Sequence, residues 1–242
     1  MRLTRVHVEQ PLSVGQSCTL GGSAANHIMR VLRLRDGDAL TVFDGSGGEY
    51  GARITAFRKD AVVVDVLEHR AVERESALDL TLAQGVSRGE RMDWVVQKAT
   101  ELGVRRIVPV LTERSVVKLD ERQSDRKLQH WRAIAISACE QSGRNRVPEI
   151  AAPTGLHEMI RDVAPDSTRV LLSPLGTLRA RDLAQPARIT MLIGPEGGLA
   201  QNEQQAALNA GFKAVQMGPR ILRTETAAIA ALAALQHDYG DL

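Results

Sequence analysis

Two different hydrophobic patterns divide the chain. Within residues 2–69, apolar and polar positions alternate with period two in the runs RLTRVHV, ALTVFDGSGGEYGARITAF and AVVVDVLEH, as half-buried strands do. The middle run is broken by DGSGG, whose Asp-Gly and Gly-Gly steps predict a hairpin. One stretch, SAANHIMRVLRL (residues 23–34), departs from that period. It places His27, Met29 to Val31 and Leu34 on a helical pattern, with Arg30 and Arg33 three apart on an exposed face. This part reads as a small β-rich module with one short helix.

The charged, unpatterned AVERESA (residues 71–77) reads as a linker, and beyond it strands alternate with helices. TLAQGV predicts a buried strand. SRGERMDWVVQKATELG predicts a helix opened by Ser87 and Glu90 in capping-box spacing and closed at Gly103, with Met92, Val95, Val96, Ala99 and Leu102 as its apolar stripe. RRIVPVL is the next strand. A longer helix over residues 124–142 buries Leu128, Trp131, Ile134, Ala135 and Ala138 and stops at Gly143. VPEIAA, RVLLSP, RITMLIG and KAVQMG are further strands, and TETAAIAALAALQH a final helix. Alternating β and α elements with apolar strands predict a mostly parallel sheet covered on both faces. The division falls between residues 1–72 and 73–242.

Composition adds bounds. With 242 residues and 43% apolar positions, the chain reads as a soluble globular protein with a sizeable core. The N-terminal stretch is charged and broken by Pro11 before any apolar run forms, and no run approaches membrane-spanning length, so no membrane and a cytoplasmic location are expected. Cys18 and Cys139 stand far apart without ligand-spaced partners, which predicts neither a disulfide framework nor a metal site. A net charge of +2 permits nucleic acid, and aromatics at only 3% leave recognition to arginines and shape.

Candidate chemistry lies in two glycine-proline loops that each follow a strand. The first, in LIGPEGGLAQNE, is neither a dinucleotide fingerprint nor a P-loop, and Glu196 inside it would repel an anion. It suits a neutral or cationic ligand. The second, in QMGPRILRTETAAIAAL, leads into a helix that Thr224 is placed to cap. Loops beyond the carboxyl ends of parallel strands can form the lips of one pocket.

LIGPEGGL followed by MGPRILRTETA resembles the paired C-terminal motifs of the SPOUT methyltransferases, and within them the ribosomal RNA small subunit methyltransferase E family. HIMRVLRLRDGD, RMDWVVQKATELGV and ISACEQSGRNRVP are similar to segments of that family as well; Asn26 stands where the family often has a second histidine. The resemblance implies an α/β protein: a small PUA-like β-barrel that binds RNA over residues 1–72, then a SPOUT α/β domain with a C-terminal trefoil knot over residues 73–242. It implies a homodimer that transfers methyl from S-adenosyl-L-methionine, without metal, to N3 of a uridine in 16S ribosomal RNA of the small ribosomal subunit. A SPOUT enzyme acting on a ribose 2′-hydroxyl, or a noncatalytic RNA-binding assembly factor, are the other readings. The intact cofactor loops favour catalysis.

The resemblance assigns the cofactor to Leu172, Ile193, Gly194, Pro195, Glu196, Gly197, Gly198, Met217, Gly218, Ile221, Leu222 and Thr224. Glu196 either faces the sulfonium or holds the loop through backbone N–H groups. Arg223 is the catalytic candidate, to stabilise charge on O2 or O4 as N3 loses its proton, with a salt bridge across the loops as its structural reading. Glu225, in the first helical turn, reads as helix support. RNA contacts fall to Arg5, His27, Arg30, Arg33, Lys98 and Arg144. Lys98 and Glu101 can instead pair with each other, Arg144 and Arg146 can reach RNA or a partner subunit, and Trp94 and Trp131 read as core.

Overall fold

The computed structural model describes residues 4–115 and 120–242; Arg2 and Leu3 of the first expected strand lie outside them. The chain forms two compact units, one running to Glu75 and joined by Cys139–Val147, the other made of Ser76–Ala138 and Pro148–Leu242.

In the first unit, β1 (Arg5–His7), β2 (Ser17–Leu20), β3 (Ala39–Phe43), β4 (Glu49–Arg58) and β5 (Ala61–Arg70) form one sheet in the order β1-β3-β4-β5-β2. All pairings are antiparallel except β1 with β3. Val6 from one edge strand and Cys18 and Leu20 from the other share a single core with Leu40, Ile54 and Val64. Two edges can meet in one core only if the sheet curls. The expected hairpin joins β3 to β4, with Gly45, Gly47 and Gly48 at positive φ.

The helical interruption is short. α1 (Gly22–Asn26) gives way to a π-helical turn, His27–Leu32, that ends at Arg33 in the left-handed region. The wider turn carries Ile28 into the core and turns Val31 out to 67% exposure, so the apolar register differs from that of an α-helix. His27, Arg30 and Arg33 are all exposed.

An enclosed charge cluster ties Cys139–Val147 to this sheet. The Glu49 carboxylate accepts from Arg5 and, at 3.2 Å, from Arg74, which also donates to the Gly143 carbonyl at 2.9 Å. Arg5 donates to Asn145 Oδ1 at 2.6 Å and lies 5.0 Å from the centre of the Phe43 ring. Arg144, buried, donates to both Glu75 oxygens, through Nε at 2.9 Å and through Nη2. Charges removed from water this far need such pairing.

The second unit contains β6 (Asp79–Gly85), α2 (Glu90–Glu101), β7 (Arg106–Leu111), α3 (Glu121–Ser142), β8 (Glu149–Ile150), β9 (Thr154–Gly155), α4 (Leu156–Arg161), β10 (Thr168–Leu172), β11 (Arg188–Ile193), α5 (Gln201–Asn209), β12 (Lys213–Val215) and α6 (Thr224–Tyr239). The last four residues of α3 count with the first unit. The sheet runs β12-β10-β11-β6-β7-β8 with β9 beside β7, and every pairing is parallel. α4 and α5 cover one core through Leu156, Met159 and Ala207 against Ala83, Val110, Leu171 and Leu192. α2 packs on α6.

Three expectations are corrected here. α2 is preceded by Gly89 at φ 63 and has no side-chain cap; the Ser87 hydroxyl donates to the Gly85 carbonyl at 3.3 Å instead. Trp131 is core, whereas Trp94 projects from α2 at 57% exposure. Leu128 and Ile134 are half-buried, so the buried face of α3 centres on Trp131, Ala135, Ala138 and Cys139.

The carboxyl of Glu49 is held below its ordinary value of 4.5: burial works to raise it, and hydrogen bonds and charge from Arg5 and Arg74 outweigh burial. A lowered folded-state value makes its contribution present above the unfolded value and lost as pH falls through the folded one. Glu49→Gln is expected to cost about 3 kcal/mol near pH 7, where it leaves the Arg5 and Arg74 guanidiniums with neutral acceptors only. Denaturant unfolding followed by circular dichroism at pH 7 and pH 4 checks this: the difference from wild type narrows at the lower pH, and a pH-independent difference contradicts the assignment.

Candidate functional site

β12, β10 and β11 are neighbours, and their carboxyl ends fall level: Leu172 pairs with Val215, and Leu171 with Leu192. The loops that leave these ends therefore emerge side by side. Together they enclose a cavity of about 520 Å³, within the range of about 300–1,000 Å³ usual for small-molecule sites.

Each loop is fixed by backbone contact. The segment after β10 crosses the end of β12: Gln216 N donates to the Leu178 carbonyl at 2.9 Å, Ser173 N to the Val215 carbonyl at 2.9 Å, and Gln216 Nε2 to the Pro174 carbonyl at 3.0 Å. A Cβ on Gly176 would lie 2.7 Å from the Val215 carbonyl carbon, so only glycine permits the crossing. The loop after β11 rests on the end of β6, where a Cβ on Gly85 would lie 2.4 Å from Pro195 N.

The start of α6 is bolted to the same loop. Thr224 Oγ1 donates to the Gly194 carbonyl at 2.7 Å and accepts from Gln84 Nε2 at 2.9 Å. Thr224 thus does not cap α6, whose cap position is Arg223 without a side-chain bond; its hydroxyl is spent on the loop. Gln84 is fully buried, and its Oε1 has no hydrogen-bond partner among the described residues.

The cavity is lined by apolar Leu172, Ile193 and Leu222 and by charged Arg91, Glu196, Arg220, Arg223 and Glu225. Glu196 Oε1 accepts from Arg88 N at 2.9 Å and Arg91 Nη1 at 2.7 Å. Burial works to raise its carboxyl, but these donors and its own backbone N–H leave it below its ordinary value. Glu225 has one oxygen 4.0 Å from Arg91 Nε and the other buried without a donor among the described residues. Arg223 is exposed; its carbonyl accepts from Ala227 N at 2.8 Å, while its guanidinium forms no hydrogen bond or ion pair among the described residues.

Every residue assigned to the cofactor by sequence, from Leu172 to Thr224, lines this one cavity, as does Arg223. The residues assigned to RNA are placed differently. His27, Arg30 and Arg33 are exposed on the first unit, whereas Arg5 and Arg144 lie inside its charge cluster, engaged as described. Lys98 bonds both oxygens of Glu101, at 2.8 and 3.0 Å, and Arg146 pairs with Glu73 at 2.9 Å. Sequence reasoning overlooked Gln84, Gly85, Arg91 and Arg220. A lone Gln-Gly step at the end of the apolar TLAQGV was the available signal for the first two. Among the described residues, no group of His, Cys, Asp or Glu could hold a metal ion.

Removing the bridging hydroxyl tests how the loops are held. Thr224→Val keeps the shape of the side chain but removes the donor 2.7 Å from the Gly194 carbonyl, which keeps only Gln84 Nε2 at 3.5 Å, and one acceptor of Gln84 Nε2, which keeps the Gly85 carbonyl at 3.1 Å; it is expected to cost about 1 kcal/mol. Thr224→Ser should recover most of that. Thermal unfolding of the two variants checks this; equal melting temperatures for Thr224→Val and wild type would show that water replaces the bond.

Comparison with known proteins converges on this arrangement. A model described as an RNA methyltransferase domain matches residues 74–236, and one described as an RNA methyltransferase PUA domain matches residues 20–67. The chain is 33% identical over its full length to ribosomal RNA small subunit methyltransferase E of Buchnera aphidicola subsp. Schizaphis graminum, covering 98% of that protein. It is 30% identical to the Bacillus subtilis protein of the same name, over 98% of this chain and 94% of that one. The crystal structure of ribosomal RNA small subunit methyltransferase E from Neisseria gonorrhoeae bound to S-adenosyl methionine superimposes with a TM-score of 0.93 at 40% identity, each chain fully covered. A Legionella pneumophila protein solved with the cofactor SAM gives a TM-score of 0.97 at 41% identity, again over both whole chains. A PUA-like module followed by an α/β methyltransferase unit, closed by three loops around one cavity, places this chain in the ribosomal RNA small subunit methyltransferase E family.

Proposed function

We propose that the chain is an S-adenosyl-L-methionine-dependent methyltransferase acting on N3 of a uridine in 16S ribosomal RNA of the small subunit. The observation that carries the reading is the single cavity that brings both glycine-proline loops together beneath an unpaired Arg223. The cavity suits the cofactor. Its apolar lining suits a flat adenine, while Glu225, with its donorless oxygen, suits a cationic sulfonium. Residues 194–199 and 217–224 would hold it, glycine backbone against the purine and Leu172, Ile221 and Leu222 on its faces. When bound, S-adenosyl-L-methionine supplies an electrophilic methyl group on a sulfonium.

Arg223 then has a defined task. Loss of the imide proton puts negative charge on uridine O2 and O4, and a guanidinium at the mouth of the cavity, free of internal acids, is placed to stabilise it. Glu196 has a different task, since its donors come from Arg88 and Arg91: it holds the loop shape. RNA contact falls to exposed His27, Arg30 and Arg33 on the module over residues 1–72, with catalysis in residues 73–242. The crossing of the β10 and β12 loops supports a trefoil knot. A homodimer is supported by α6, whose Ile229, Ala230 and Ala233 are apolar and only half-buried, and by the exposed Trp94. No helix among the described residues is long and apolar enough to cross a membrane, consistent with work on ribosomal RNA in the cytoplasm.

Arg223→Ala should reduce single-turnover methylation about 10²- to 10³-fold, by analogy with loss of one oxyanion donor, and leave affinity for cofactor and RNA near wild type. Arg223→Lys should recover part, since an ammonium keeps charge but loses the planar fork. Loss of cofactor binding with an unchanged single-turnover rate at saturation would make Arg223 a binding residue instead.

A further inference from the structure

Behind the loop at residues 216–218 lies a second cavity, of about 340 Å³. It shares the wall of Gln216, Met217 and Gly218 with the first cavity. Its other side is a short 3-10 turn, Ala180–Asp182, preceded by Arg179, and the end of α6 with Asp238. None of Arg179, Arg181 and Asp238 takes part in the cofactor site.

The turn is fixed against that wall. Arg179 N donates to the Asp182 carboxylate at 2.8 Å, and the Tyr239 hydroxyl lies 3.0 Å from the Ala180 carbonyl and 2.8 Å from the Leu183 carbonyl. Leu178 reaches the wall through the Gln216 bond already described. Arg179 and Arg181 are exposed, and neither guanidinium forms an ion pair among the described residues. Arg220, on the cofactor side of the same loop, is likewise exposed and without an ion pair. Exposed guanidiniums without an internal acid, carried on loops that are hydrogen-bonded to each other, are available to an external anion. Asp238, the one acid lining this cavity, has its Oδ1 3.1 Å from His237 Nδ1.

We propose that this second cavity is a ribose-phosphate subsite for the RNA strand that carries the target base. Arg179 and Arg181 meet a phosphate through forked donors, and Asp238 accepts from a ribose 2′-hydroxyl, the group that tells RNA from DNA. The volume fits one backbone unit. The shared wall puts that unit beside the nucleotide entering the cofactor cavity, which orients the strand rather than merely attracting it. The inference rests on the methyltransferase reading and adds RNA contacts made by the catalytic unit itself.

The test is filter binding of a 16S ribosomal RNA transcript, and of DNA of the same sequence, to wild type, Arg179→Ala/Arg181→Ala and Asp238→Ala over a salt series. The double variant should bind RNA about tenfold more weakly, with a log-log salt slope shallower by about one, and calorimetry should find its cofactor affinity unchanged. Asp238→Ala should narrow the preference for RNA over DNA. Unchanged RNA affinity and slope in the double variant would overturn the subsite. So would equal weakening by free inorganic phosphate at millimolar concentration in variant and wild type, or an altered oligomeric mass that accounts for the loss. Methylation of the same transcript by wild type is scored separately: its absence would sink the methyltransferase reading, whereas the binding series alone decides the subsite.

Discussion

The site hangs on one threonine hydroxyl. Thr224 Oγ1 joins the first residue of α6 to the Gly194 carbonyl at the end of β11, and Gln84 from β6 joins the same oxygen. Three strands or helices that are far apart in sequence are thereby locked at one point. Parallel strands cannot close such a pocket by hairpins, since their connections return over the sheet. A local bond between loop ends is what turns three adjacent strand termini into a cavity rather than an open edge. The close approaches at Gly85 and Gly176 serve the same end, because a single added carbon at either place would push one loop off its neighbour.

Charge is sorted around that frame by whether it is already satisfied. Glu196 is consumed by Arg88 N–H and Arg91, which explains its lowered carboxyl and makes a carboxylate inside a glycine loop a fastening. Arg5, Glu49, Arg144 and Glu75 are consumed in the same way in the first unit, where burial would otherwise penalise each of them. At the first cavity the charge left without an internal partner includes the exposed guanidinium of Arg223 and one buried oxygen of Glu225; a buried acceptor of that kind calls for a partner from outside the described residues.

Much of this was legible in the sequence. Period-two runs and a Gly-rich turn marked the curled sheet, alternating apolar strands and helices marked the parallel one, and two glycine-proline loops marked the cavity. Failures came where side chains made tertiary choices that local pattern does not encode. Ser87 had the right spacing to cap α2, but positive φ at Gly89 took its place. Thr224 had the right identity to cap α6, but its hydroxyl found Gly194. Arg5 and Arg144 looked like surface cations and are enclosed because acids distant in sequence meet them. Val31, read as part of a helical pattern, is exposed in the π turn that replaces it, and Trp94, read as core, lies off the apolar stripe of α2 and faces outward.

The most direct measurement is nucleoside mass spectrometry of 16S ribosomal RNA incubated with the purified, metal-free protein and isotopically labelled S-adenosyl-L-methionine. The account predicts one labelled methyl per RNA, recovered as 3-methyluridine. Label recovered as a 2′-O-methyl nucleoside, or no transfer by protein that binds both the cofactor and the RNA, would contradict it.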